Sequence, residues 1–186
     1  VLVFGGRFPG EKAASLFADL EARSFARAGC ETLVLAPRRF KRGAPAADAP
    51  YRTVYVPTLD LAQMPMLALI AGYLNTLLLA LTVSAWCALF GRHDDLVVSN
   101  EALPLLALSY LMPRTAYELH DFAEPSQGIY RALFRRVRLI IATNEWKRGE
   151  IVRTFGTKEG KILVERNAVD LARFGTADKA DARRVL

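Results

Sequence analysis

The sequence predicts a doubly wound α/β domain, a mostly parallel sheet with helices on both faces. Three observations lead there. Short runs rich in Val, Leu and Ile recur along all 186 residues, and helical stretches alternate with them. The chain opens on an apolar run, a glycine-bearing loop, a helix and a second apolar run, which together form a β-loop-α-β unit. A chain of this length also buries a full core within one domain.

Taken in order, residues 1–5 form the first strand and lead into the loop Gly6-Arg7-Phe8-Pro9-Gly10-Glu11. A helix over residues 12–27 sets Phe17, Leu20, Ser24 and Phe25 on an inward stripe, and Ala28-Gly29 ends it. Residues 32–36 are the second strand. Residues 37–50 are an irregular connection holding Arg38, Arg39, Lys41 and Arg42. Alternation over 51–56 gives a third strand. A short apolar strand at 96–99 has a helix over 102–111 behind it. Then comes Thr115-Ala116-Tyr117-Glu118-Leu119, which stops at His120-Asp121. Tyr117 and Leu119 face one side of it, Ala116 and Glu118 the other. A helix at 128–136, a strand at 139–142, a helix at 146–155 and a strand at 161–164 complete the pattern. Residues 1–174 are expected to be one domain and 175–186 the start of a linker or second domain. The opening on an apolar strand without Met, and the close in mid-helix, suggest a piece of a longer protein.

Residues 66–90 carry no charge. As one helix they extend roughly 37 Å, enough to cross a bilayer. A span would leave strands on opposite membrane faces as two half-sheets with open edges. A long helix or broken pair packed on the sheet, with an apolar outer face, is therefore expected. Shallow contact with a membrane surface is the second reading. Gly72, Asn75, Thr76 and Thr82 make a weakly polar stripe along it.

The formal net charge of +6 and pI near 9.6 favour anionic partners. The cysteines Cys30 and Cys87 have no motif spacing and read as small buried residues in a reducing compartment. No secretory signal is visible. No Cys, His and carboxylate set has metal-ligand spacing, no Gly-x-Ser-x-Gly elbow occurs, and His93 reads as solvated. Base stacking has little to work with, because Phe40 alone is interleaved with the basic cluster; nucleic acid is not expected.

In an open parallel sheet, ligands lie beyond the carboxyl ends of the strands. His120 ends a strand there and is placed to hydrogen-bond a ligand. The competing reading is a histidine satisfied by backbone and Asp121. The Gly6–Gly10 loop suits a phosphate or sugar hydroxyl, since glycine admits close approach and the next helix offers free N–H groups. It matches neither a dinucleotide fingerprint nor a P-loop, so an ordinary tight connection stays open, and a nicotinamide-dependent oxidoreductase is a poor fit. Arg38, Arg39, Lys41 and Arg42 are either a solvated loop or a contact for anionic lipid or a phosphorylated acceptor.

The first third, from Phe8-Pro9-Gly10-Glu11 through Ala28-Gly29-Cys30-Glu31-Thr32-Leu33-Val34, resembles the opening of retaining family 4 glycosyltransferases, with Cys30 where that family usually has His. The closing third, with Lys161-Ile162-Leu163-Val164 leading into Asn167-Ala168-Val169-Asp170 and Phe174, resembles the passage ending their first domain, with Ala168 in place of the usual Gly. The resemblance implies the amino-terminal, acceptor-side half of a GT-B fold, in which two Rossmann-like domains face across a cleft. It implies a nucleotide sugar as donor substrate, no other cofactor, and an acceptor glycan or lipid of the cell envelope. It makes His120 the cleft histidine that meets the donor sugar. Substrate contacts are implied at Gly6, Gly10, Glu11, Asp121, Asn144 and Asn167, and most of the nucleotide falls to a carboxyl-terminal Rossmann domain. The chain alone is then expected to be inactive. The location expected is cytoplasmic, and peripheral attachment to the inner face of the membrane is a separate expectation drawn from residues 66–90 with the arginine cluster. A non-catalytic binding or scaffold module at a membrane surface is the alternative.

Overall fold

The computed structural model describes residues 1–5, 13–38, 48–58, 68–120 and 127–165. Seven parallel strands form one sheet: β1 (Leu2–Phe4), β2 (Leu33–Pro37), β3 (Arg52–Val56), β4 (Val97–Ser99), β5 (Thr115–Leu119), β6 (Leu139–Ala142) and β7 (Ile162–Val164). Their spatial order is β3-β2-β1-β4-β5-β6-β7. The strand order reverses between β1 and β4, and this is where doubly wound sheets hold their ligands. The expected fold class is the one observed.

The central strands are apolar on both faces because both faces are covered. Leu2, Phe4, Leu35, Val97, Tyr117, Leu119 and Ile140 point into the larger core. There they meet α2 (Ala68–Phe90), α3 (Ala102–Leu108), α4 (Gln127–Arg136) and α5 (Glu145–Phe155). Val3, Val34 and Ala36 point the other way, onto α1 (Ala13–Arg27). The predicted sides of β5 hold, with Tyr117 and Leu119 in the large core and Glu118 on the α1 side.

Two helix ends have a clear local cause. The Asn144 side chain accepts from Lys147 N at 2.8 Å and caps α5, and Gly156 at φ 64° ends it. Gly29, at φ 81°, lets the chain leave α1 for β2.

Three expectations are corrected. The buried stripe of α1 is Ser15, Ala18 and Ala22, with Phe25 beside it, while Ser24 is exposed and donates to Leu20 O. Small side chains let this helix lie close on the sheet, so the contact line falls on alanines rather than on the larger residues. Cys30 is exposed just past the helix end, and only Cys87 is buried. The helix expected over 102–111 closes at Leu108, leaving Tyr110 and Leu111 exposed.

Residues 68–90 are one unbroken helix, packed on α3 and β3. Its segment Gly72–Phe90 is long and apolar enough to cross a membrane by length and composition. A span is nevertheless inconsistent with the sheet, since β1 pairs with β2, which precedes this helix in the chain, and with β4, which follows it. Leu79, Ala80, Val83 and Cys87 are buried, while Tyr73, Leu74, Leu77, Leu81, Leu89 and Phe90 stay exposed. Part of the expected polar stripe is turned inward: Thr76 and Thr82 are half-buried and donate to carbonyls one turn back, at Gly72 and Leu78. The outward stripe is as apolar as the inner one.

Candidate functional site

The carboxyl ends of the strands are tied together by polar bonds. At the reversal point, buried Ser99 donates from Oγ to Phe4 O at 2.9 Å and accepts from Glu101 N at 3.0 Å. This bond joins the ends of β1 and β4. One strand further on, the Lys147 ammonium of α5 donates to the His120 carbonyl. Asn144, the Lys147 ammonium and His120 are thereby assembled where β5 and β6 end. The Asn144 Oδ1 is spent on capping.

His120 has a defined setting. Its ring lies 4.6 Å from the Phe17 ring of α1, and its Nε2 lies 3.2 Å from Glu118 Oε2. Nε2 is buried and has no hydrogen-bond partner among the described residues. Glu21 stands one turn after Phe17 on α1. Burial of its carboxyl, and then the charge of Glu118, push its pKa up from 4.5 to about 8. Glu21 as a residue is half-buried. On the opposite face, burial drives the Tyr117 phenol far above its usual value, with neighbouring Tyr130 adding to the effect.

Of the predicted site residues, His120, Asn144 and Arg38 are described, and all three lie at the carboxyl edge. Arg38 is exposed at the end of β2, where its N–H donates to Val56 O and its carbonyl accepts from Thr58. Gly6, Gly10, Glu11, Asp121, Asn167, Arg39, Lys41 and Arg42 lie outside the described residues. No cluster of three or more His, Cys, Asp or Glu suits a metal ion among the described residues. Sequence reasoning missed Glu21, Ser99, Glu118 as a partner of His120, and Lys147. One signal was available, a carboxylate in the middle of an otherwise apolar strand.

A groove of about 650 Å³ opens at the other edge of the sheet, among the starts of β1 to β4. Trp86 and Phe90, with rings 5.6 Å apart, line it with Arg52, Arg92 and Arg114. Arg92 pairs with Asp94 at 3.4 Å, and Arg114 donates to Asp94 O. This is the wrong end of the sheet for the chemistry expected of the fold, so the carboxyl edge is the candidate site.

No protein-family model matches the chain, and no curated protein matches it in sequence. Solved structures do match in fold. HepE of Anabaena, in complex with UDP and glucose, superposes with TM-score 0.63 at 18% identity, over 99% of this chain and 49% of HepE. Sucrose-phosphate synthase of Thermosynechococcus elongatus superposes with TM-score 0.74 at 13% identity, over 100% of this chain and 52% of the synthase. A glycosyltransferase of Rickettsia africae gives 0.60 at 10% identity, over 99% and 47%. The chain thus spans about half the length of these proteins. It has the Rossmann-like fold found within GT-B glycosyltransferases.

Proposed function

We propose that this chain is the amino-terminal, acceptor-side half of a retaining glycosyltransferase that moves a hexose from a nucleotide sugar to a lipid-linked or envelope glycan acceptor. The observation that carries the reading is the placement of His120 at the carboxyl edge, one strand from the reversal point, in a fold shared with proteins crystallised with UDP and UDP-glucose. In the closed cleft His120 hydrogen-bonds the donor sugar, and the Gly6–Gly10 loop, Glu11 and Asp121 approach the acceptor and phosphates. Asn144 acts through the cap that places Lys147, and Asn167 shapes the hinge to a second Rossmann domain. That domain holds most of the nucleotide. Catalysis comes from orienting two substrates in a dry site and from fixed donors that stabilise the departing diphosphate. The test is a transfer assay of the complete gene product against a panel of nucleotide sugars, beside the same assay on the 186 residues alone. Transfer by the complete protein only is the expected result. Transfer by the isolated chain contradicts the divided site, and a gene product with no second Rossmann domain favours the scaffold alternative.

The outer stripe of α2 supports a cytoplasmic, peripheral location on an anionic membrane. Leu74, Leu77 and Leu81 line up at helical spacing and lead toward Leu89 and Phe90, all exposed. Arg92, just beyond the helix end, and Arg114 are exposed beside them. Apolar insertion and basic flanks together are what binding to an anionic interface needs. Flotation with vesicles containing phosphatidylglycerol should carry the protein, and Leu77→Glu with Leu81→Glu should abolish it. Equal behaviour of the variant, or no flotation at all, rules the surface out.

A further inference from the structure

Beneath His120 lies a two-by-two arrangement that the proposed reaction does not use. On β5, Glu118 and His120 are two apart and share the side facing α1. On α1, Phe17 and Glu21 are four apart and share a stripe. Phe17 stacks against His120, and the charge of Glu118 is felt at Glu21. Glu118 and His120 are both largely shielded, with side chains 18% and 23% exposed. The ring's buried nitrogen is Nε2, which lies 3.2 Å from Glu118 Oε2 without a hydrogen bond among the described residues. A ligand would then be met at the ring's other nitrogen, Nδ1.

We propose that Glu118, backed by Glu21, is a positioning residue that fixes which nitrogen of His120 carries the proton, and so makes Nδ1 a hydrogen-bond acceptor for a hydroxyl of the donor sugar. An ionised carboxylate only accepts, and its charge 3.2 Å from Nε2 favours the neutral imidazole that holds its proton on that nitrogen. Two carboxyls that feel each other's charge do not both ionise readily, and burial favours the proton on the shielded one. Glu21 is that member, with its pKa pushed up to about 8 by burial and by Glu118. Glu21 therefore stays protonated near neutral pH, with the negative charge of Glu118 as the second cause. Among the described residues, Lys147 from α5 also reaches His120. Its ammonium is committed to the His120 carbonyl, so it does not compete for the ring. Asp19 and Arg23, also on α1, are engaged with each other and with Tyr51 and Asp48. The arrangement follows the logic by which a carboxylate orients a catalytic or metal-bound imidazole.

The role assigned to Nδ1 rests on the reading of His120 as a sugar contact; the tautomer itself does not. Nitrogen NMR of imidazole-labelled chain reads it directly, because the sequence has two histidines and the other, His93, is exposed. Neutral His120 should be the Nε2–H form in the wild type and in Glu21→Gln. It should shift toward the Nδ1–H form in Glu118→Gln, whose amide can donate to Nε2. Glu118→Asp, which keeps the carboxylate, should retain the Nε2–H form. A wild-type Nδ1–H form overturns the proposal even if every variant fails to fold, and so does an unchanged tautomer in a folded Glu118→Gln. In the complete enzyme, Glu118→Gln should lower kcat by about 10- to 100-fold, more than it alters the donor KM. If the tautomer switches while transfer by both Glu118→Gln and His120→Ala stays at wild-type rate, the sugar contact is wrong and the positioning of the ring stands.

Discussion

Replacing Glu21 by Gln should remove a pH dependence of stability that has a fixed sign. The Glu21 carboxyl is held near 8 in the folded chain against an ordinary value of 4.5, chiefly by burial and secondly by Glu118. Between those values the native state holds a proton that the unfolded chain has released. Stability then falls as pH rises, by about 1.4 kcal/mol per pH unit for one proton. Accumulated from the ordinary value to pH 7, the loss is on the order of 3 kcal/mol, and it levels off once pH passes the folded value. Glutamine keeps the shape and a neutral donor, and it does not titrate. The stability of Glu21→Gln relative to wild type should therefore rise by roughly 3 kcal/mol from pH 4.5 to pH 7. With a urea slope of ~2 kcal/mol per molar, the midpoint difference opens by about 1.5 M. Equilibrium urea unfolding of both proteins across that pH range measures it. A midpoint difference that does not change with pH would show that Glu21 titrates normally, and the shielded carboxyl pair under His120 would be wrong.

The two cysteines should behave oppositely toward a thiol reagent. Exposed Cys30 reacts in the native state, while Cys87, whose thiol is pushed up to about 12 by burial and then by Asp95, reacts only after unfolding. Asn144→Ala removes the cap on α5 and should cost about 1 kcal/mol by chemical denaturation, with Asn144→Asp close to neutral. Leu105→Ala, at a fully buried position between α3 and the sheet, should cost about 2–5 kcal/mol in the same assay.

The sheet was legible in the sequence because parallel strands buried on both faces read as continuous apolar runs, as at Leu33–Pro37 and Leu139–Ala142. The placement of His120 at a strand end followed from the same pattern, since Asp121 and Pro125 break the extension after it. The contact face of α1 was misread because hydrophobicity ranks Phe17 and Leu20 above Ala18 and Ala22, whereas close helix–sheet approach selects small side chains. In α2 the buried and exposed sides could not be told apart. With no charge along the helix there is no periodicity to read, and only packing on α3 and β3 decides. Of the groups around His120, Glu118 was within reach of the strand pattern, whereas Phe17 and Glu21 were not: they lie on α1, far away in sequence, and the fold alone brings α1 over β5. The loops carrying Gly6, Gly10 and Glu11, Asp121, and Asn167 lie outside the described residues.

The central claim is that His120 contributes half of a sugar-transfer site, and its removal in the complete protein tests that most directly. His120→Ala should leave the unfolding free energy within about 1 kcal/mol of wild type, because Phe17 is the one aromatic ring that meets it among the described residues. It should lower the rate of sugar transfer from the preferred nucleotide donor by about 100-fold, as expected when a group that orients a reacting sugar is lost. Transfer at the wild-type rate by the folded variant would contradict the account.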